Sequence, residues 1–236
     1  DVEVPLDMNL GLFVGGPHEV QGEARFNGNR ITELKQNLTL DEVVGAVQFT
    51  HHDWHGDGLR AVFEGTPVDL GINGALNDPL YDSEFHMAGV SLASGLAAYL
   101  EKYTPPVHSW LARHQKLDAF DGHVSWQAAL KVPSAAGHAA GAPQRLTIDS
   151  TLDGLNIQLP WPLGKQADDM RPLHIETAIA DHMAVTTRID MSDTLSVELD
   201  AARDGDGRAR LTRAELVFGS LTPQFKGTPG LSLSGY

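Results

Sequence analysis

The chain has 236 residues and no cysteine, which excludes disulfides, zinc–thiolate centres and thiol catalysis. Its formal net charge of −14 argues against nucleic acid as a partner, because a phosphate backbone needs a surface rich in lysine and arginine. Its 24 glycines and 13 prolines indicate many turns, and no apolar run approaches the roughly 18 residues of a membrane-spanning helix. Because the chain begins at Asp1 without an initiator methionine and ends in a strand-like stretch, we expect a fragment of a longer protein.

A motif of glycine, three residues and an aromatic residue occurs three times, at Gly22–Phe26, Gly45–Phe49 and Gly122–Trp126. Each copy opens or lies in a stretch of alternating apolar residues, and after the third copy the alternation continues to Val132. Side chains of a strand point to opposite faces in turn, so each stretch predicts a strand with one apolar face. We expect each glycine to let the chain turn into its strand and each aromatic residue to mark the apolar face.

Residues 1–90 are predicted to form a first block of β-strands. The histidine-rich stretch His51–Gly58 is predicted to be a polar turn, and Asn77-Asp78-Pro79 closes the block. Three alternating apolar sets indicate the strands of this block: Val47 and Phe49, then Leu59, Ala61 and Phe63, then Val68, Leu70 and Ile72.

Residues 91–116 are predicted to form an insert of two short helices. Ser91 is expected to cap the first helix, which ends at Pro105 and Pro106 because proline cannot continue a helix. The second helix is expected over Val107–His114. The apolar stripe of the first helix consists of Leu92, Leu96, Tyr99, Leu100 and Tyr103.

Residues 117–236 are predicted to form a second block of β-strands. Ser134–Pro143 is expected to be a loop of small residues, and Leu146–Leu159 is expected to hold two strands with a tight turn between them. The clearest hairpin is predicted around Asp204–Gly207, because apolar alternation leads up to this turn and resumes after it.

One cluster has the residue types of a metal site. Three histidines (His51, His52 and His55) and two aspartates lie within seven residues. The spacing does not match a helical zinc motif, so a solvated turn is favoured over a metal-dependent hydrolase. The chain has no nucleophile-elbow, Walker or dinucleotide-binding motif, and we therefore predict no catalytic residue, no metal and no cofactor.

The stretch Ser150–Leu155, running on to a Leu-Pro pair and then to Pro162–Lys165, is similar to a signature of the YhdP branch of the AsmA-like proteins. The third glycine–aromatic motif with its strand ending at Pro133 resembles the same family, as does the stretch Gly45–Val68. The resemblance covers most of residues 22–172, and the order of the motifs is more specific than any one of them.

The resemblance implies a non-enzymatic protein of the Gram-negative envelope. Members of this family are anchored in the inner membrane by an N-terminal helix and extend a long β-structure, folded like an open taco, into the periplasm. Its concave side is lined with apolar side chains and is expected to carry phospholipid acyl chains towards the outer membrane. We therefore expect a periplasmic segment that is mostly β, a long curved antiparallel sheet forming an open apolar groove, with a short two-helix insert.

The same strands could instead close on themselves as a sandwich. The alternative hypothesis is therefore a structural or protein-binding β module of the envelope, with a closed core and a partner at an exposed sheet edge, Asp7–Val14 or the terminal strand. On the main hypothesis, twelve apolar residues are predicted to line the groove and bind lipid: Phe26, Val47, Phe49, Leu59, Phe63, Val68, Leu70, Ile72, Val124, Trp126, Leu130 and Val132.

Overall fold

β-Strands dominate the described part of the chain, so the prediction of a mostly β protein is confirmed. The predicted edge Asp7–Val14 and the two histidines His51 and His52 lie outside that part. The computed structural model describes residues 21–33, 38–50, 53–74, 78–95, 119–160, 163–180, 185–192, 194–203, 209–219 and 230–235.

The alternation of apolar and polar residues accounts for most of the strands, because a sheet with two different faces needs a period of two residues. In chain order the described strands are β1 (Gln21–Glu33), β2 (Leu38–Thr50), β3 (Trp54–Phe63), β4 (Thr66–Gly74), β5 (Tyr81–Leu92), β6 (Phe120–Pro133), β7 (Gln144–Ser150), β8 (Leu155–Ile157), β9 (Leu173–Ile179), β10 (Val185–Met191), β11 (Leu195–Arg203), β12 (Ala209–Phe218) and β13 (Gly230–Gly235).

These strands follow one another in a single open sheet. Their order is β1-β2-β3-β4-β5-β6-β7-β9-β10-β11-β12-β13, and β8 pairs with β6 outside this path. The described registers are antiparallel, apart from the parallel pair of β12 and β13. β1 and β13 are the two ends of the order, so the prediction of an open, mainly antiparallel sheet is confirmed.

The chain divides into two compact units. Unit one comprises residues 1–89 and 129–140, and unit two comprises residues 90–128 and 141–236. β5 and β6 each contribute residues to both units. Unit one therefore holds β1 to β4, and unit two holds β7 to β13.

The stretch Ser134–Pro143 differs from its prediction as a loop. A short helix spans Ala135–Ala139, and the Ser134 hydroxyl caps it by accepting a hydrogen bond of 3.0 Å from the Gly137 amide. Alanine has the highest helix propensity, and the serine cap satisfies one of the free amides of the first turn. The small residues therefore favour a helix, and the prediction of a loop is wrong for Ala135–Ala139.

Two predicted boundaries are wrong because strands extend further than the sequence pattern suggests. β3 already begins at Trp54, so most of the polar turn predicted over His51–Gly58 is strand. β5 includes Ser91, and helical residues begin at 93, so this serine does not cap a helix. Residues 96–118, which include the second predicted helix, lie outside the described residues.

Two predictions for the second block are confirmed. β11 and β12 form the expected antiparallel hairpin, with Leu195 opposite Phe218, although the turn itself lies outside the described residues. Leu146–Leu159 contains two strands, β7 and β8, as predicted. β8 pairs with β6 and not with β7, so the turn between the two strands does not make a hairpin.

Candidate functional site

In unit two, the strand registers bring apolar side chains onto one face of the sheet. Ile148 of β7 lies opposite Ile175 of β9, which lies opposite Ile189 of β10. The row continues through Val197 of β11 to Leu216 of β12. We call the surface built by this row and its two neighbours the apolar face of unit two: Leu146, Ile148, Leu173, Ile175, Ile189, Met191, Leu195, Val197, Leu199, Ala214, Leu216 and Phe218.

The opposite face of unit two carries charged and polar pairs. Arg145 contacts Glu176 at 3.1 Å across β7 and β9, and His174 contacts Asp149 at 2.6 Å across the same two strands. These residues alternate with the apolar ones, so their side chains point away from the apolar face. The sheet of unit two therefore has one polar face and one apolar face.

Arg213 is the centre of a group of ion pairs on the polar face. Its Nε donates a hydrogen bond of 2.6 Å to Asp200, its guanidinium also pairs with Glu198, and its Nη1 lies 3.5 Å from Glu215. The hydrogen bond from Arg213 lowers the pKa of Asp200, while burial acts in the opposite direction. The hydrogen bonds to Asp200 and Glu198 in turn raise the pKa of Arg213. The charges of this group are therefore paired with one another within the sheet.

The apolar face of unit two is incompletely covered. Ile175 and Ile189 have a strand on each side, yet both residues keep part of their surface exposed, whereas Val197 in the same row is buried. At the edge of the sheet, Leu231 and Leu233 of β13 are 73% and 65% exposed. A sheet face packed against a second layer would bury its central residues. The face is therefore partly exposed at Ile175 and Ile189 and largely exposed at its β13 edge.

One end of the apolar face of unit two is covered by the connection from β7 to β9, which we call the β7–β9 segment (residues 151–160 and 163–172). Its residues Leu152, Leu155 and Ile157 are buried. They form a core cluster with Ala93 and Met191, against which six partly buried residues pack: Phe120, Val124, Leu159, Leu163, Leu173 and Leu195. The apolar face thus has a covered end and a partly open remainder.

Lys165 is the buried charge of the β7–β9 segment. It is 4% exposed, and its ammonium donates hydrogen bonds to the carbonyl oxygens of Leu152 (2.8 Å), Leu155 (2.6 Å) and Gln166 (2.7 Å). Three carbonyl oxygens match the three donors of an ammonium, which a buried lysine needs. Burial lowers the pKa of Lys165, and the charge of Asp169 acts in the opposite direction. Sequence reasoning found the motif ending at Lys165 but not this role.

Unit one also carries apolar pairs on one side of its strands. Leu59 of β3 lies opposite Leu70 of β4, which lies opposite Met87 of β5. Ile72 lies opposite Phe85, which is 42% exposed. The alternation of Phe85 and Met87 with polar residues signals this side of β5, although the predicted groove residues do not include either of them.

Glycines of unit one lie beneath large side chains of the neighbouring strands. A Cβ added at Gly22 would lie 2.4 Å from the ring of Phe49, and one at Gly74 would lie 2.5 Å from the ring of Trp54. Gly45 lies inside β2, at a φ of +141°, so the prediction that it lets the chain turn into a strand is wrong. These glycines make room for side chains from a neighbouring strand.

The twelve predicted groove residues lie in strands of both units. Val124 and Trp126 belong to unit two, where the Trp126 indole Nε1 donates a hydrogen bond of 2.8 Å to the Ser91 hydroxyl, and the other ten belong to unit one. Their contact with lipid stays a prediction. Two of them are buried, Leu59 and Val68, and ten are partly exposed: Phe26, Val47, Phe49, Phe63, Leu70, Ile72, Val124, Trp126, Leu130 and Val132.

The described histidine of the predicted polar turn is held by protein groups. His55 Nδ1 lies 2.7 Å from the Asn73 side-chain oxygen, and its Nε2 lies 3.0 Å from Asp57. Within the described ranges, no group of three or more histidine, aspartate and glutamate residues is arranged to hold a metal ion. His51 and His52, the other two histidines of the metal hypothesis, lie outside those ranges.

In the part of the chain that the structure describes, no helix has the length and apolar character needed to cross a membrane.

Comparisons with known proteins place the chain in a family. Neither the curated proteins nor the solved structures contain a match. A family model described as YhdP protein matches residues 1–236, which is the whole chain. The chain therefore belongs to the YhdP protein family.

Proposed function

We propose that this chain is a non-enzymatic segment of a lipid-transfer protein, and that its apolar sheet faces shield phospholipid acyl chains from water. The observation that carries the proposal is the partly exposed apolar face of unit two, which has a face of ion pairs behind it. A sheet with such a face needs an apolar partner to cover it, and an acyl chain supplies one without any specific polar contact.

The dimensions and the energetics of the face are compatible with an acyl chain. The row from Ile148 to Leu216 crosses five strands. Neighbouring strands lie about 4.8 Å apart, so this row is roughly 19 Å long. Each buried methylene group contributes about 0.8 kcal/mol, so a long chain can be held by burial alone. The headgroup would stay in water at the open side of the face.

Membership of the YhdP family supports a role related to lipid transport and gives no support to an enzymatic one. It also supports a place in the Gram-negative envelope. On this basis we propose that the ligand is a phospholipid, that the segment lies in the periplasm, and that the parent protein, anchored in the inner membrane, reaches the inner and the outer membrane. Nucleic acid is not part of this proposal.

A pair of substitutions on one strand tests the proposal. Ile175→Asp places a carboxylate on the apolar face of β9, and Ala178→Asp places the same group on the opposite face, directly across from Arg145. We expect the wild type to bind a fluorescent long-chain fatty acid. A charge in an apolar site is costly, so Ile175→Asp should weaken this binding by about tenfold or more, which corresponds to about 1.4 kcal/mol. Ala178→Asp should leave binding unchanged.

Folding of both variants is checked by circular dichroism and by urea unfolding, so that a loss of binding is not a loss of structure. The proposal is contradicted if the folded wild type does not bind the fatty acid. Equal binding by the two folded variants contradicts the assignment of the apolar face of unit two as the binding surface.

A second function, a protein-binding β module, is favoured by one observation. β13 is an end of the strand order, and its residues Leu231 and Leu233 are largely exposed. An exposed edge strand can pair with a strand of another protein. A fluorescent fatty acid separates the two functions, because an edge that recruits a strand does not require an acyl-chain site.

A further inference from the structure

We infer that Lys165 is a positioning residue that holds the β7–β9 segment as a fixed wall, and that this wall sets the width of the acyl-chain path across unit two. The inference rests on the proposed function, because a wall matters only if the apolar face of unit two binds acyl chains. Three features of the β7–β9 segment carry it: what the segment covers, how its backbone is tied down, and which groups Lys165 joins.

The segment covers side chains that belong to the apolar face itself. Leu173, Met191 and Leu195 lie opposite one another in β9, β10 and β11, two residues along from the row that contains Ile175 and Ile189. Met191 belongs to the core cluster of the β7–β9 segment, and Leu173 and Leu195 pack against that cluster, whereas the two isoleucines do not take part in it. The segment therefore occupies a surface that would otherwise continue the open part of the face.

Backbone hydrogen bonds fix the segment in place. Ile157 and Lys165 exchange two of them, at 2.9 and 3.0 Å, and the Gln158 amide donates to the Ala119 carbonyl at 2.7 Å. The strand β8 within the segment pairs with the first residues of β6. A Cβ at Gly122 would lie 2.1 Å from the Gly154 carbonyl oxygen, so the two backbones are in close contact. These ties indicate a wall and not a lid that swings open.

Lys165 joins the two halves of the segment. The buried residues Leu152 and Leu155 flank a turn, and the ammonium binds the carbonyls of both. Its third partner is the carbonyl of Gln166, the residue after the lysine. One ammonium thus binds the turn to the returning chain. Methionine at this position would fill a similar volume but donate no hydrogen bond, so the carbonyls of the buried residues Leu152 and Leu155 would each lose a partner.

The wall covers one of the three rows of the apolar face and lies beside the other two. Rows on one face are two residues apart, or about 6.7 Å, so removing the wall would widen the path by about that distance. Since a width of this order accommodates one more extended hydrocarbon chain, release of the wall should raise the number of acyl chains that unit two holds.

Native mass spectrometry with a saturating long-chain fatty acid counts the bound molecules per protein chain. We expect Lys165→Met to bind at least one more fatty acid than the wild type, with faster hydrogen exchange at the Ile157 amide as the sign that the segment is released. Lys131→Met is the matched control, because the side chain of this lysine is 42% exposed and its ammonium lies 3.9 Å from Glu84 in unit one. It should bind the wild-type number.

A cross-link tests the fixed wall without weakening the segment. Asp121 of β6 and Asn156 of β8 are directly opposite, and the chain has no other cysteine to interfere with the pair D121C and N156C. Opposed residues of an antiparallel pair lie about 5.5 Å apart, within the range of a disulfide. The oxidised and the reduced double variant should bind the same number of fatty acids as the wild type.

Each failure has a separate meaning. Loss of binding on oxidation overturns the fixed wall, because it shows that the segment must move to admit a chain. Unchanged exchange at Ile157 in Lys165→Met overturns the positioning role of the lysine. Faster exchange at the Ile157 amide with an unchanged number of bound fatty acids overturns the inference that the wall sets the width of the acyl-chain path. A wild type that binds no fatty acid overturns the proposed function itself.

Discussion

The ring of Phe49 covers the backbone of Gly22 on the neighbouring strand, and the two residues are directly opposed in the ladder of β1 and β2. In the same ladder Phe26 lies opposite Gly45. The first two copies of the glycine–aromatic motif therefore pair with each other in antiparallel register, each glycine opposite the aromatic residue of the other copy. An aromatic ring over a glycine fills the space that a side chain at the glycine position would otherwise occupy.

Substitution of the covered glycine tests this relationship. Gly22→Ala would place a Cβ 2.4 Å from the Phe49 ring, so the ring must move. We expect a loss of about 1–3 kcal/mol in the free energy of unfolding, as for other overpacked sites. Gly95→Ala is the control, because no atom lies within 4 Å of the added Cβ. The urea midpoints of the two variants check the prediction, and an equal effect of both would contradict it.

The core cluster of the β7–β9 segment should be sensitive to the loss of volume. Leu155 is 4% exposed, and its replacement by alanine should cost about 2–5 kcal/mol in the free energy of unfolding. Leu231 is 73% exposed, so Leu231→Ala should change stability by less than about 0.5 kcal/mol. Urea unfolding measures both values. A Leu155→Ala variant as stable as Leu231→Ala would mean that the segment does not form this core in solution.

The ion pairs of Arg213 should make stability depend on acid pH. The hydrogen bond from Arg213 lowers the pKa of Asp200, so this carboxylate stabilises the fold above the ordinary aspartate pKa of about 3.9. The stabilisation is lost as the pH falls through the lowered pKa of the folded state. We therefore expect Asp200→Asn to cost about 1–3 kcal/mol at pH 7 and less in acid.

Urea unfolding of the wild type and of Asp200→Asn, at pH 7 and again below the ordinary aspartate pKa, checks this dependence. Asp149→Asn is the control, because the side chain of Asp149 is 61% exposed and substitutions at exposed positions usually change stability by less than about 0.5 kcal/mol. A difference between wild type and Asp200→Asn that stays constant with pH would show that ionisation of Asp200 does not stabilise the fold.

Two threonines interrupt the apolar face of unit two. The hydroxyls of Thr177 on β9 and Thr187 on β10 lie 3.2 Å apart and form a hydrogen bond between the two strands. Replacing both by valine keeps the shape and removes a partly buried polar pair, so the double variant should be about as stable as the wild type. Each single variant leaves one hydroxyl without its partner and should be less stable than the double variant.

The same double variant should bind a long-chain fatty acid more tightly than the wild type, because its binding surface is more apolar. Fluorescence titration measures the affinity, and the double-mutant cycle of urea midpoints measures the coupling between the threonines. An affinity that stays the same or falls would indicate that Thr177 and Thr187 do not contact the chain.

Much of the architecture is readable from the sequence, because a period of two residues marks strands such as β4 and β11 directly. Register is harder, because it involves residues far apart in the chain: the ring of Trp54, at the start of β3, lies against Gly74, twenty residues later. The apolar face of unit two is hard to predict because β9 and β10 are short, and because a threonine interrupts the alternating apolar residues of each strand. Lys165 is hard to predict because its role depends on carbonyls ten and thirteen residues away.

The measurement that tests the central claim most directly is paramagnetic broadening of methyl signals by a long-chain fatty acid that carries a nitroxide on its chain. If the apolar face of unit two holds acyl chains, the methyl signals of Ile175, Ile189 and Leu199 broaden at saturation. The methyl signal of Ala178, on the opposite face of β9, should broaden less than these three, because it lies farther from the label. Equal broadening on both faces, or none on the apolar face while the label is bound elsewhere, would contradict the account.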